Sequence, residues 1–479
     1  MSFVSAPFAL VLALALGACL VLGPRGRVLS LLAASCALYA IWGAPHLLAL
    51  LGAVAIVSYG CGRLMERWRN LPLRRAALGF GIAACLGALA LVRIGTGAGP
   101  VAALGVSYYT LQAISYLLDV SAGAVAAERD LPRWALHLVF FPKLLQGPIE
   151  RADHLLPQLR DLPRPSLHDL SAGARLFLWG LFQKVVVADR IAPFVDAVYG
   201  DVGRFEGLPL VIATWLLAAQ LYYDFAGYTD MALGVARLFG IRLVPNFAAP
   251  YRARSIAEFW RRWHISFSSW LLDYVFRPLQ LTLRDWRTWG TPLALIATFL
   301  LSGLWHGTAW TFVAWGALHG VFLAASALYR PWKTRVARAV RLEGSWLRDP
   351  LQVAVTFHLV CVAWIPFRAA SLRDALHVAG HAVSGLAGSL ARVAAGRDLA
   401  SLLYLGQPAS RFAAMLAVVV ATPALAALLQ RGERSGDAAS PETAPARPWT
   451  LGQTVLASAL LYCVAFLGTA TRSFVYQQF

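Results

Sequence analysis

Apolar residues in this chain gather into long blocks, and the segments between them carry most of the arginine. Blocks approaching the length needed to cross a bilayer, roughly 17–25 residues, lie near 5–22, 28–43, 46–60, 76–92 and 101–118. Further blocks lie near 172–187, 208–223, 351–367, 412–429 and 453–469. The pattern predicts an all-α polytopic membrane protein formed as a single domain over 1–479. The first block, Ala6 to Gly23, has no basic residue before it and is followed by Arg25 and Arg27. It is expected to be a retained span rather than a cleaved signal.

Three stretches do not fit simple spans. Residues 135–148 are apolar but too short to cross, which predicts a re-entrant segment. Residues 224–290 mix aromatics with Arg and Asp and contain no clean span. Residues 291–329 form a 39-residue run without Asp, Glu, Lys or Arg. That run is too long for one ordinary span, and both its flanks are basic, so it is expected to be a hairpin entering and leaving on one side. His306 lies near its middle, and fifteen helical residues at 1.5 Å each would carry it about 22 Å from the start. The polar, Ala- and Pro-rich segment 431–449 is expected to be a flexible linker before the last span.

Composition sharpens the class. Apolar residues make up 59% and charged residues only 14%, against about 25% charged in a soluble domain. The net charge of +18 comes from 42 Lys+Arg against 24 Asp+Glu, with the arginines between the apolar blocks. The positive-inside bias accounts for this excess, so nucleic acid is not an expected partner. Residues 62–75 carry five arginines and 330–350 carry five arginines and a lysine. Both loops should therefore be cytoplasmic, which places both termini outside. The six cysteines are scattered without a CxxC pair, so neither a metal site nor a disulfide framework is expected. No GxSxG elbow, HExxH zinc motif or GxxxxGK[ST] phosphate loop is present.

A titratable side chain at membrane depth is costly and points to function. His306, in Gly303-Leu304-Trp305-His306-Gly307, is the first such group. Desolvation disfavours imidazolium, and a neutral imidazole is suited to removing a proton from a hydroxyl. His264 lies in Phe259-Trp260-Arg261-Arg262-Trp263-His264-Ile265-Ser266. That cluster reads equally as an interfacial belt or as a mouth for an anionic donor such as a coenzyme A thioester. In Tyr222-Tyr223-Asp224-Phe225-Ala226-Gly227-Tyr228-Thr229-Asp230, the acids should face a cavity or pair with nearby arginine. His46, His319 and His358 read as packing or hydrogen-bonding residues, and His377 and His381 as solvated.

Taken in order, these segments resemble the bacterial membrane-bound O-acyltransferases, specifically the branch of the alginate O-acetyltransferase membrane subunit. The matching blocks are Gly105 to Gln112, Phe140-Phe141-Pro142-Lys143 with Gly147-Pro148-Ile149, and Leu156-Pro157-Gln158-Leu159. Tyr223 to Gly234, Asn246-Phe247 and Phe259 to Ser266 follow. Leu304 to Gly307 with Trp310, then Trp364 to Ala369, and the tail Phe474 to Phe479 complete the match. Leu271-Leu272-Asp273-Tyr274 and Pro278-Leu279-Gln280 depart from the branch, which commonly reads Leu-Arg-Asp-Tyr and Pro-Leu-Gly-Gly there.

The resemblance implies about eleven spans plus re-entrant helices around a central funnel, with His306 catalytic and His264 a second catalytic position. It implies an O-acetyltransferase with no bound cofactor, whose donor, acetyl-CoA, arrives at a cytoplasmic mouth lined by Arg261, Arg262 and Trp263. Trp305 and Tyr228 are expected to line the tunnel, with Asp224, Asn246 and Tyr274 among the substrate-binding residues. The implied setting is the bacterial inner membrane. The acceptor is an extracytoplasmic polysaccharide or peptidoglycan, reached through a separate partner of the SGNH-hydrolase type. Two alternatives stay open: a teichoic acid D-alanyl transferase fed by a carrier protein, and a transporter without covalent chemistry.

Overall fold

The computed structural model describes residues 3, 5–41, 45–68, 70–95, 105–329, 345–434 and 451–468. Among the described residues there is no β-strand, only an isolated bridge between Phe247 and Trp263. The first half of the chain forms α1 (Ala6–Val21), α2 (Pro24–Ile41), α3 (Pro45–Arg67), α4 (Leu71–Gly95) and α5 (Val106–Ala122). The short α6 (Leu131–Val139) and α7 (Ala152–Arg160) then lead into α8 (Leu167–Phe182), α9 (Asp189–Tyr199) and α10 (Leu208–Leu238). A region of short helices follows: α11 (Ile256–Arg262), α12 (Ile265–Leu271) and α13 (Arg277–Thr282). The hairpin α14 (Gly290–His306) and α15 (Trp310–Leu328) precedes α16 (Arg348–Arg368). Last come α17 (Leu372–Ser384), α18 (Leu386–Ala394), α19 (Leu399–Leu402), α20 (Ala409–Arg434) and α21 (Leu451–Tyr462).

The protein is thus an all-helical, multi-pass membrane protein. Eight described stretches are long and apolar enough to cross a membrane, where about eleven spans were expected. The expected spans near 5–22, 28–43 and 101–118 are helical too, as α1, α2 and α5, but lie outside that set. The linker expected over 431–449, the basic loop over 330–344 and the aromatic tail fall wholly or largely outside the described residues, as does the His46 side chain.

The block expected over 208–223 continues as one 31-residue helix to Leu238, through the acids that seemed to interrupt it. Asp224 is paired at 2.7 Å with Lys184, which also meets Asp189 at 2.8 Å, all three side chains being buried. Asp230 accepts a hydrogen bond from Gln183 at 2.6 Å. Gln183 and Lys184 lie in a π-helical turn, Gln183–Ala188, between α8 and α9. Lys184, on a neighbouring span, is therefore a partner that offsets the charge of Asp224.

Two glycine seams fix the helix pairs that matter most. A Cβ on Gly173 would come within 2.6 Å of the Gly234 carbonyl oxygen, and one on Gly180 within 2.5 Å of the Gly227 oxygen, with the reverse contacts as close. Spacing of seven on both α8 and α10 sets backbone against backbone, as small residues do where helices associate in lipid. In the hairpin, a Cβ on Gly303 would meet the Phe312 oxygen at 2.4 Å, and one on Gly316 the Phe299 oxygen at 2.3 Å.

The re-entrant segment is present. α6 has nine residues, and the chain beyond it, 140–150, is non-helical and entirely buried. Non-helical backbone in such a place needs internal partners. Phe141 N–H donates to Ser35 Oγ at 3.1 Å, Gln146 N–H to Tyr228 Oη at 3.3 Å and Ile149 N–H to Ser266 Oγ at 3.0 Å. Glu150 closes the segment by accepting from Val244 N–H at 2.6 Å and meeting His154 Nδ1 at 2.6 Å.

Gly180→Leu and Gly227→Leu are expected to abolish the monodisperse peak of the detergent-extracted protein. Gly79→Leu should leave it intact, because a Cβ there meets nothing within 4 Å. The hydrogen bond to Glu150 raises the pKa of His154, which lies outside the spans. A raised histidine pKa stabilises the fold fully below the ordinary value of about 6.5, and the contribution is lost as pH rises through the shifted value. Melting curves from pH 5.5 to 8.5 should show this decline in the wild type and a smaller one in His154→Gln.

Candidate active site

The hairpin starts beside Arg284 and Arg287 and returns to the basic segment after Tyr329, so both its ends lie at the arginine-rich face. His306 is the last residue of α14, whose 17 residues place it about 25 Å from the helix start. It stands at the closed end, beside the exposed turn Thr308-Ala309. Its half-buried ring is boxed edge-to-face by Trp305 and Trp315, each 4.8 Å away between ring centres, by Phe367 at 5.5 Å and by Phe267 at 5.8 Å. Gly307 lets this turn close, since a Cβ there would meet the Phe312 ring at 2.4 Å.

His264 links α11 to α12 with φ +45° and ψ +53°, a left-handed conformation uncommon outside glycine. A clamp imposes it. The Asn246 carbonyl accepts from Ile265 N–H at 3.0 Å. The Asn246 side-chain oxygen accepts from Ser266 N–H at 3.2 Å and Ser266 Oγ at 2.7 Å. Ala248 N–H donates to the Arg262 carbonyl at 3.0 Å.

The His264 ring is 1% exposed, and neither ring nitrogen has a hydrogen-bond partner among the described residues. It packs on Phe225 at 4.8 Å and Phe267 at 5.1 Å, with Trp305 at 6.4 Å, and Phe267 and Trp305 also pack on the His306 ring. Strained backbone and unpaired buried polar atoms each cost about 1–3 kcal/mol. Their coincidence on one histidine makes His264 a candidate for binding a ligand that supplies the missing contacts.

A cavity of about 870 Å³ opens at the arginine-rich face between the α11 region and the start of α16, lined by Tyr251, Arg252, Arg254, Arg262, Asp349 and Phe357 among others. Arg254 pairs with Asp349 at 2.9 Å and Arg262 with Glu258 at 2.8 Å, while Arg252 and Arg261 are exposed. An aromatic septum separates this cavity from His306. Tyr251 lies 6.0 Å from Trp263, Trp263 lies 5.0 Å from Trp364, and Trp364 stacks on Trp315 at 6.2 Å.

Of the residues picked out in the sequence, His306, Trp305 and His264 come together, and Trp263 belongs to the septum. Arg261 and Arg262 stand at the cavity end. Asn246 forms the clamp and Tyr228 bolts the re-entrant segment. Asp224 serves the lysine pair. Tyr274 donates to Asp119 at 2.7 Å, with the Arg151 guanidinium 4.3 Å above its ring. His319 accepts from Trp260 Nε1–H at 3.2 Å, a hydrogen-bonding role as expected. Trp315, Phe267 and Phe367 were missed as site residues. Trp315-Gly316 with Gly320 one turn on was the available signal, because it marks the helix face pressed on α14.

The membrane-bound O-acyltransferase family model matches residues 108–361, which include both histidines. Over 374 residues, 73% of this chain and 71% of the relative, the sequence is 36% identical to "Probable alginate O-acetylase AlgI" of Azotobacter vinelandii. It is 32% identical to a peptidoglycan O-acetyltransferase of Helicobacter pylori, covering 64% of this chain and 60% of the relative. It is 28% identical to a teichoic acid D-alanyltransferase of Streptococcus thermophilus, covering 55% and 68% respectively.

Asn246→Ala deletes the acceptor for two donors from Ser266 and releases the His264 turn. It should cost about 1–3 kcal/mol of stability, read as a lower melting temperature, with a larger fractional loss of activity. Unchanged activity with a lowered melting temperature would show that the clamp serves folding alone.

Proposed function

The chain belongs to the membrane-bound O-acyltransferase family, and we propose that it passes an acetyl group from a cytoplasmic thioester, acetyl-CoA, to a hydroxyl presented from outside. The product is an O-acetylated extracytoplasmic polysaccharide, such as alginate, another exopolysaccharide or peptidoglycan. An extracytoplasmic partner of the SGNH-hydrolase type completes the last transfer. The protein sits in the bacterial cytoplasmic membrane with its arginine-rich face inside and both termini outside.

His306 acts as general base. Its neutral imidazole takes the proton of the acceptor hydroxyl as the oxygen attacks the thioester carbon. The tetrahedral intermediate collapses, the C–S bond breaks, and the thiolate takes the proton back from His306. His264 orients the donor or relays the proton through its unpaired nitrogens. The observation that carries this reading is the left-handed His264, its ring nitrogens without a partner among the described residues, joined to His306 through Phe267 and Trp305. Arg252, Arg254 and Arg262 line one cavity and suit the phosphates of coenzyme A, which supports a donor docked there. The D-alanyl reading keeps the same histidines and replaces the nucleotide with an acidic carrier protein docked on the exposed arginines.

Purified protein in nanodiscs with radiolabelled acetyl-CoA tests the proposal. Wild type should release or transfer acetyl, and His306→Ala should be slower by about 100- to 10,000-fold, the usual weight of acid–base catalysis, while eluting as a folded species. Equal turnover in the two proteins would sink the role of His306. Turnover from an acylated carrier protein but not from acetyl-CoA would establish the D-alanyl alternative.

A further inference from the structure

Three buried indole N–H groups in this protein have an acceptor. Trp134 donates to the Ala55 carbonyl at 3.1 Å, Trp260 to His319 Nδ1 at 3.2 Å and Trp270 to the Leu111 carbonyl at 3.0 Å. Trp315 and Trp364 do not. Both are 0% exposed, and the Nε1 of each lacks a hydrogen-bond partner among the described residues. They form a stacked pair at the wall of the site. Trp315 stands edge-to-face on His306 at 84°, and Trp364 lies behind it.

We propose that the Trp315 indole N–H is the donor that holds the thioester carbonyl oxygen, and the oxyanion formed from it, beside His306. This deepens the acyl-transfer reading and rests on it. Indole nitrogen donates and cannot accept, so whatever completes Trp315 must offer an acceptor atom. Of the reacting groups, the hydroxyl proton goes to His306 and the thioester sulfur is a weak acceptor, which leaves the carbonyl oxygen. Indole does not titrate in the working range, so it can stand against a general base without exchanging a proton with it.

The ring is also held rigidly, as such a donor must be. Gly316 presses the backbone of α15 against the Phe299 carbonyl. Trp260 at 5.8 Å, His319 at 5.2 Å and Phe367 at 5.4 Å surround the ring. In the reaction the C=O electron pair moves onto oxygen as the new C–O bond forms, and the N–H bond to that oxygen strengthens. The pair returns when the C–S bond breaks, and the thiolate leaves with the proton from His306.

Trp315→Phe keeps the ring and deletes the donor. It should lower kcat by about 100-fold, as loss of one oxyanion donor does, with KM within about twofold. Trp134→Phe deletes a buried indole N–H on α6, outside the site, and should stay within threefold of wild type. A second readout needs no turnover. Acetonyl-CoA, which keeps the carbonyl but cannot transfer it, should bind wild type more tightly than S-ethyl-CoA, and Trp315→Phe should lose that preference. Wild-type kcat in Trp315→Phe, or an undiminished preference for the carbonyl analogue, would overturn the proposal. If only a carrier-bound thioester supports wild-type turnover, the donor assignment fails, and the same kcat ratio measured with that thioester decides the role of Trp315.

Discussion

The architecture rests on one constraint: polar groups taken out of water must find partners within the chain. Regular helices meet it by themselves, but the two irregular segments next to the site cannot. Ser35, Tyr228 and Ser266 satisfy the re-entrant backbone, and Asn246 satisfies the turn at His264. Ser266 belongs to both networks, accepting from Ile149 N–H and donating to Asn246. The segment that ends in Glu150 and the segment that carries His264 are therefore fixed by the same hydroxyl. Glu150 repeats the coupling by accepting from Val244, two residues before Asn246. The position of His264 is thus a property of two loops and α10 together.

His306 is placed by a different means. The α14–α15 hairpin has no charged residue and is held by backbone approach at Gly303 and Gly316. Packing that close leaves little freedom to slide, so the closed end of the hairpin is rigid. The two histidines are brought together from independent supports, one hydrogen-bonded and one close-packed, with Trp305 and Phe267 stacked at 4.3 Å between them. Charge elsewhere in the spans is neutralised, as in the Lys184, Asp189 and Asp224 group.

The sequence made part of this legible. Block length and charge gave the membrane class and the hairpin over 291–329, and a histidine inside an uncharged run identified itself. The 224–238 part of α10 was hidden because hydropathy counts Asp224 as a break, whereas Lys184, forty positions earlier, removes its charge. Asn246 and Tyr228 looked like ligand residues because motifs do not distinguish a residue that touches substrate from one that holds the loop beside it. Trp315 was invisible as a site residue for a related reason. An indole on an apolar helix reads as packing, and only the tertiary structure reveals that its N–H has no acceptor among the described residues while Trp260, on the same cluster, has one.

Under the proposed acyl transfer, the relation between the cavity and the histidines sets what form the donor must take. Cavity residues on α16 reach as far as His358, while Phe367 on the same helix touches His306. Nine residues of helix separate the two levels by about 14 Å, and the septum of Tyr251, Trp263, Trp364 and Trp315 fills that interval. A compact acyl donor bound among the arginines would leave its carbonyl at the wrong level. A donor whose anionic head stays in the cavity reaches His306 only if the acyl group is carried on a long, narrow arm that passes between aromatic rings. Both a coenzyme A thioester and a carrier-bound thioester have that form, and a small acyl phosphate does not. On the proposed acyl transfer, the arm answers to the aromatic septum, and what is attached to its other end answers to the arginines of the cavity.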